Sequence, residues 1–400
     1  MRSTPSNPTF NSRSSNNAVS RRSALRAIVA SGLVACVHVG FADERDESLA
    51  LTISDSLDAL ANRQNEDGSF GAKAELFGRD PAVSALCGLA FLASGSLPGR
   101  GRYGTNLDKI VEFISSRALR TKGKTSSEAF TGLDATIRSA TLDYLKENNL
   151  TTEDVDGLIV DFTEKGRKPM YGHGFATLFL AEISGQVDRP DLRDTIRAAV
   201  ELILRVQNSA GGWRYEPKQA AVADLSVTTC LLSSLRSAHN AGFHIPQESV
   251  KNTEKYVLSL QNQDGGFRYM FLDGPSGYAR TATAIHALQA SGKDNSKAIE
   301  RGFEYLEKVY PVGSEATQKD SDIEYWSYGQ FYAALSYWRA AIDEESRKRA
   351  QRFFRRLTQD ALARRSPDGM WRSAISSEVE TAFILCALLV PKEQTPFFLR

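Results

Sequence analysis

From about residue 49 onward, the hydrophobic positions of this 400-residue chain fall into two alternating helical patterns. One is amphipathic: within Leu49–Arg63, Leu51, Ile53, Leu57 and Leu60 recur roughly at the spacing of one helix face. The other, seen in Pro81–Ala93 as AVSALCGLAFLA, is apolar nearly all round, which predicts a helix buried on both sides. The pair recurs as Leu192–Val206 with Asp224–Leu235, Ser249–Leu260 with Ala279–Ala290, Ala298–Val309 with Tyr328–Ala340, and Ser346–Leu362 with Val379–Leu389. An all-α protein is expected.

Glycine turns separate the two members of each pair: QNEDGSFG from Gln64, DGLI from Asp156, QNSAGGWRYEP from Gln207, QNQDGGFRY from Gln261 and PDGMW from Pro367. Glycine supplies the backbone conformations that other residues resist. Gly157, Gly212 and Gly266 stand 55 and 54 residues apart, and Gly369 follows after 103, close to two periods. Only Gly68 to Gly157, at 89, breaks the rhythm, which predicts an insertion at about 121–154 with one amphipathic stretch, Leu133–Leu145. Six helical hairpins remain, a period that marks a repeat architecture. Open arrays usually end in polar capping repeats, whereas the last helix here, ETAFILCALLV, is as apolar as the middle ones. Closure is therefore expected, with apolar helices as an inner barrel, amphipathic helices outside, a ring domain over 47–391 and a tail over 392–400.

The Q-x-x-x-G-G-[FW] turns between paired helices resemble those of the terpenoid cyclase and protein prenyltransferase superfamily, the squalene cyclase repeat proteins, over roughly Leu49–Pro391. The resemblance implies an (α/α)6 toroid. More narrowly, MYGHGFATLFLAE from Met170, GGWRYEP with ADLSVT, and the terminal ETAF and ALLVP strings are similar to exported bacterial repeat proteins of the planctomycete sort.

Composition narrows the partners. A formal net charge of +1 gives no long-range field of the kind that draws a protein to nucleic acid or anionic lipid. The first 19 residues, rich in Ser and Asn, are expected to be disordered. Arg21-Arg22 and Arg26 then precede an uncharged run, Ala27–Gly40, that reads as an export signal resembling the twin-arginine type and is too short for a permanent membrane span. Cleavage after Ala42 would free a chain starting at Asp43 and an exported, periplasmic or extracellular protein; Leu33-Val34-Ala35-Cys36 offers the alternative of lipidation at Cys36. Cys87, Cys230 and Cys386 lie in apolar helical patterns and read as buried thiols.

The chemistry that the resemblance implies lacks its residues. No D-x-D-D acid motif and no D-D-x-x-D magnesium motif occurs; Asp154-Val-Asp156 and Asp320-Ser-Asp322 read as solvated loop carboxylates. At the place of the prenyltransferase zinc ligands, Asp224 stands but Ser226 replaces the cysteine, and Gly277–Arg280 offers no histidine. No metal and no cofactor is expected, and no turnover by the family mechanisms. Aligning the inner helices by their ends puts Val83, His173, Val227, Arg280 and Glu380 in one column, with Tyr328 a sixth and Asp80 and Asp224 three residues earlier. If that column faces the axis, then His173, Asp224, Arg280, Tyr328 and Glu380 form a ligand site at the mouth of the ring, for an apolar, isoprenoid-like molecule or a peptide. The alternatives are helix capping by Asp80, Asp224 and Glu380 with ion pairing by Arg280, a divergent terpenoid cyclase or other lyase or hydrolase using Asp224 or Glu380 as acid or base, or a structural, protein-interaction ring. His239, His244 and His286 read as surface or helix-end residues, and Trp213, Phe267 and Trp371 as packing under the turns.

Overall fold

A computed structural model of the chain describes residues 44–71, 79–163, 168–187, 189–271, 274–294, 296–310, 325–373 and 376–398. The segment expected to be an export leader, with its expected processing sites at Cys36 and Ala42, and the Asp320–Asp322 string lie outside them. The chain divides into two compact units, 1–51 and 52–400. The described residues of the first belong to helix α1 (Glu44–Ala61), which continues into the second. Among the described residues there is no helix long and apolar enough to cross a membrane.

The second unit is a closed double ring of helices. Its inner members are α2 (Pro81–Ala93), α6 (Pro169–Ile183), α8 (Leu225–Asn240), α10 (Tyr278–Ala290), α12 (Trp326–Ala340) and α14 (Ser377–Leu389). Each packs on the next, and α14 packs back on α2, which closes the circle. Outside them lie α1, α3 (Gly104–Ser116), α7 (Pro190–Arg205), α9 (Gln247–Leu258), α11 (Lys297–Val309) and α13 (Glu344–Arg364). The insertion contributes α4 (Ser126–Ala129) and α5 (Ala135–Asn148). Inner helices are buried almost throughout, so their sequences have no polar stripe; in α7 only the inward face, including Leu192, Ile196, Leu202 and Ile203, is buried.

The turns recur because each repeats the same bonds. Gly68, Gly157, Gly211 and Gly265 all have φ between +87° and +92°, and a Cβ on any of them would meet a backbone carbonyl of the outer helix that follows. For Gly211 that carbonyl, of Asn252, would be 2.2 Å away. The repeated glutamine spans the same gap. Gln207 Nε2 donates to the carbonyls of Gly211 and Ser249, and Gln261 Nε2 to those of Gly265 and Ala298. Gln64 makes the equivalent pair with Gly68 and Asn106. One side chain thus ties a turn to the next outer helix. The aromatic residue after the turn is buried beneath it, as expected: Trp213, Phe267 and Trp371 are at most 2% exposed, and the Trp213 indole donates to the Ile203 carbonyl at 2.7 Å.

A third recurring bond corrects the helix register. The turn N–H of Phe70 donates to Ser84 Oγ, that of Trp213 to Thr228 Oγ1, of Phe267 to Thr281 Oγ1 and of Trp371 to Thr381 Oγ1. In the second hairpin the same donor, Ile159 N–H, meets His173 Nδ1 at 3.2 Å. His173 therefore aligns with the hydroxyl column that faces the turns, one residue out of step with Val83, Val227, Arg280 and Glu380.

Candidate functional site at the mouth of the ring

The N-terminal ends of four inner helices frame a cavity of about 210 Å³. Lys168 and Tyr171 reach it from α6, Ser226 from α8, Tyr278, Arg280 and Thr283 from α10, and Tyr325 and Tyr328 from α12. Tyr215 and Tyr269 enter from the segments after two Gly-Gly turns. Their placement follows from the repeat. The Tyr215 carbonyl accepts from Met170 N–H at the start of α6, and the Tyr269 carbonyl from Leu225 N–H at the start of α8, each at 3.0 Å. Each segment thereby caps the preceding inner helix and hangs its tyrosine over the mouth. The two phenols share a hydrogen bond with each other.

Two cations line this rim. Lys168 Nζ lies 4.7 Å from the centre of the Tyr215 ring, a cation–π contact. Arg280 donates through Nη1 to the Pro275 carbonyl at 2.7 Å. Among the described residues no carboxylate forms an ion pair with either. Tyr328 lines the cavity with its hydroxyl buried and outside normal hydrogen-bonding geometry, although Thr283 and Tyr171 are close by.

Beneath Ser226 lies Asp224, fully buried at the N-cap of α8. Its Oδ1 accepts from Val227 N–H at 2.9 Å and from Ser226 Oγ at 2.8 Å. Oδ2 is buried and makes no hydrogen bond of normal geometry, while the nearby Tyr269 phenol favours the charged form. Burial outweighs these contacts and holds the carboxyl above the ordinary aspartate range.

The expected constellation is thus only partly assembled. Arg280 and Tyr328 share the cavity and Asp224 lies behind its wall. His173 does not face it: besides accepting from Ile159, its Nε2 lies 3.2 Å from the Ala199 carbonyl of α7, and burial pushes its pKa down to about 4. With both ring nitrogens engaged in the wall between inner and outer rings, it has no atom to offer a ligand. Glu380 is buried in the first turn of α14, near Ser327 and Ser373, with its carboxyl raised by burial, and does not line the cavity. His286, expected near the surface, is 7% exposed inside α10 and pairs through Nε2 with Ser233 Oγ at 3.1 Å. Asp154 and Asp156 act locally; Asp156 Oδ1 accepts the N–H groups of Thr121 and Lys122.

Of the cavity's tyrosines, sequence reasoning named Tyr328 and missed Tyr171, Tyr215, Tyr269, Tyr278 and Tyr325. The available signal was the repeat itself, since Gly-Gly-Trp-Arg-Tyr215 and Gly-Gly-Phe-Arg-Tyr269 carry tyrosine three residues after the second glycine. Below the cavity the axis is filled by rings rather than hollow. Phe383 contacts Phe175, Tyr328 and Phe331 with centroids 5.3–6.0 Å apart, and Tyr332 packs against Tyr328 at 4.9 Å. The cavity is accordingly smaller than the ~300–1,000 Å³ of pockets that take drug-sized ligands.

A closed ring of paired helices joined by Q-x-x-x-G-G turns defines an α/α toroid, and the chain resembles the terpenoid cyclase and protein prenyltransferase superfamily through two of its domain families. The prenyltransferase alpha-alpha toroid domain matches residues 9–135, and the squalene-hopene cyclase C-terminal domain matches residues 180–321. A curated relative, drimenyl diphosphate synthase of Streptantibioticus cattleyicolor, is 32% identical over 93 residues, which span 23% of this chain and only 16% of that protein. Among solved structures, the type II terpene cyclase MstE from Scytonema superposes with a TM-score of 0.52 at 16% identity, covering 87% of this chain and 98% of the cyclase. Cellobiose 2-epimerase from Bacillus thermoamylovorans B4167 gives 0.55 at 12% identity, covering 86% and 99%. The α-1,6-mannanase GH76A of Salegentibacter sp. HEL1_6 gives 0.57 at 9% identity, with the same coverage. Likeness at these identities is one of fold.

Proposed function

We propose that this protein is a binding toroid that takes the carboxylate end of a peptide in its tyrosine-lined mouth, without turnover. The observation that carries this is the cavity wall, in which Lys168 and Arg280 stand among six tyrosines and, among the described residues, no carboxylate forms an ion pair with either. Tyrosines supply large, rigid, amphipathic contact area and hydroxyl donors at low entropic cost, and cations beside them suit a carboxylate. The filled axis argues against an isoprenoid chain, which would need the depth that Phe175, Phe331 and Phe383 occupy. From the Arg21-Arg22 leader we infer that the ring works outside the cytoplasm; mass spectrometry of the exported protein is expected to find Asp43 at its N-terminus.

The test is differential scanning fluorimetry with pooled N-acetyl tripeptides as free acids, the matched C-terminal amides, and farnesyl diphosphate. The free acids are expected to raise the melting temperature and the amides to leave it unchanged. A shift from farnesyl diphosphate alone would sink the reading.

One observation favours a second reading, that of an acid–base enzyme. Asp224 is buried beside the cavity wall with its pKa raised, as catalytic carboxyls often are. Asp224→Asn would then abolish turnover of a substrate while ligand binding survived; on the binding account the variant changes stability only.

A further inference from the structure

The opposite end of the ring is closed by the chain's own last described residues. Gln394 packs over Gly95, just past α2, and Trp338 of α12 donates from its indole to Glu393 Oε1 at 2.9 Å. Phe397 is the anchor. Its backbone N–H donates to Glu182 Oε2 of α6 at 2.9 Å, and its ring sits edge-on to His286 of α10 at 5.7 Å and nearly parallel to Phe331 of α12 at 6.2 Å. Phe398 is 1% exposed. Pro391 to Gln394 and Pro396 are exposed, so two phenylalanines hold most of the segment down.

The seat is recognisably one for a peptide: a buried carboxylate for a main-chain N–H and an aromatic slot for one side chain. It is also incompletely satisfied. His286 Nδ1, Ser237 Oγ and Thr395 Oγ1 are buried without a hydrogen bond of normal geometry, although both hydroxyls lie near the Glu182 carboxylate. Permanent cores leave few polar atoms in that condition. Lifting the segment would return these groups to water, so their solvation favours the open state and offsets the aromatic contacts that favour the closed one.

We propose that this far mouth is a binding site for a short aromatic peptide segment, filled in cis by Thr395–Phe398, which act as a displaceable plug. The site is separate from the tyrosine mouth and would open a second, polar approach to the axis through Glu182, Ser233, Ser237 and His286.

The experiment uses the full chain carrying Phe397→Ala and a fluorescein-labelled synthetic peptide of the sequence PKEQTPFFLR, read by fluorescence anisotropy. The Phe397→Ala chain is expected to bind the peptide at least tenfold more tightly than the wild-type chain does. Adding Glu182→Leu is expected to reverse that gain. A folded Phe397→Ala chain that binds no peptide, or binds it no better than the wild type, overturns the proposal, as does binding indifferent to Glu182→Leu. Native-state hydrogen exchange on the unmodified chain decides the matter should either variant fail to fold. The Phe397 amide is expected to exchange at least a hundredfold faster than the Ile159 amide at His173, and equal rates would mean that the segment opens only with the whole molecule.

Discussion

His173 shows how a single register step changes a residue's role. Both ring nitrogens are engaged by backbone groups in a fully buried wall, so replacing it strands an N–H and a carbonyl where water does not reach. His173→Ala should cost about 2–4 kcal/mol of stability in urea melts while leaving peptide binding per folded molecule unchanged. A loss of binding at full stability would return it to the site. Glu182 carries a pH signature. Burial lifts it to about 7, whereas the unfolded chain titrates near the ordinary ~4.3. Its stabilising contribution is complete below about pH 4, declines as pH rises towards 7 and is gone above that, about 3 kcal/mol in all. His173 works in the opposite sense: its pKa is lowered to about 4, so its contribution is present above the ordinary ~6.5 and is lost as pH falls towards 4. Because the two slopes oppose each other between pH 5 and 6.5, the test is a difference: in urea melts the stability of the wild-type chain relative to Glu182→Gln should fall as pH rises from 5 to about 7 and stay level above it, and identical pH slopes in the two proteins would rule the assignment out.

At the level of the element, the hairpin turn is what the sequence states most clearly. Its glycine, glutamine and aromatic positions each make one bond or contact that recurs around the ring, so the period was legible without any structure. Helix type was legible too, because inner helices have no polar face and outer ones do. Register was not. Ser84, Thr228, Thr281 and Thr381 accept through short hydroxyls, and a histidine doing the same task at position 173 does not look like a member of that series. Gly211→Ala should destabilise by about 2–4 kcal/mol, since it adds left-handed strain to a Cβ placed 2.2 Å from the Asn252 carbonyl oxygen. Gln207→Ala should cost about 1–2 kcal/mol through the bonds to Gly211 and Ser249. Chemical denaturation measures both, and a neutral Gly211→Ala would mean that the turn is not the joint described above.

Across the whole molecule, closure followed from an apolar final helix, and the packing of α14 on α2 completes it. The contents of the ring were less accessible. Phe175, Phe331, Tyr332 and Phe383 lie on helices apolar on all sides, and composition alone does not say which of those sides faces the axis. The tyrosine mouth is assembled from four helices and two turn segments, a convergence that no local pattern announces. The central claim, that binding occurs at this mouth and depends on the Arg280 cation, is tested most directly by isothermal titration calorimetry. The free-acid tripeptide pool and its amide counterpart would be titrated into the wild-type, Arg280→Ala and Glu380→Ala chains. The account predicts saturable binding of the acids by the wild-type and Glu380→Ala chains, at least tenfold weaker binding by Arg280→Ala, and none of the amides. Equal binding by Arg280→Ala, or loss on Glu380→Ala with the fold intact, would contradict it.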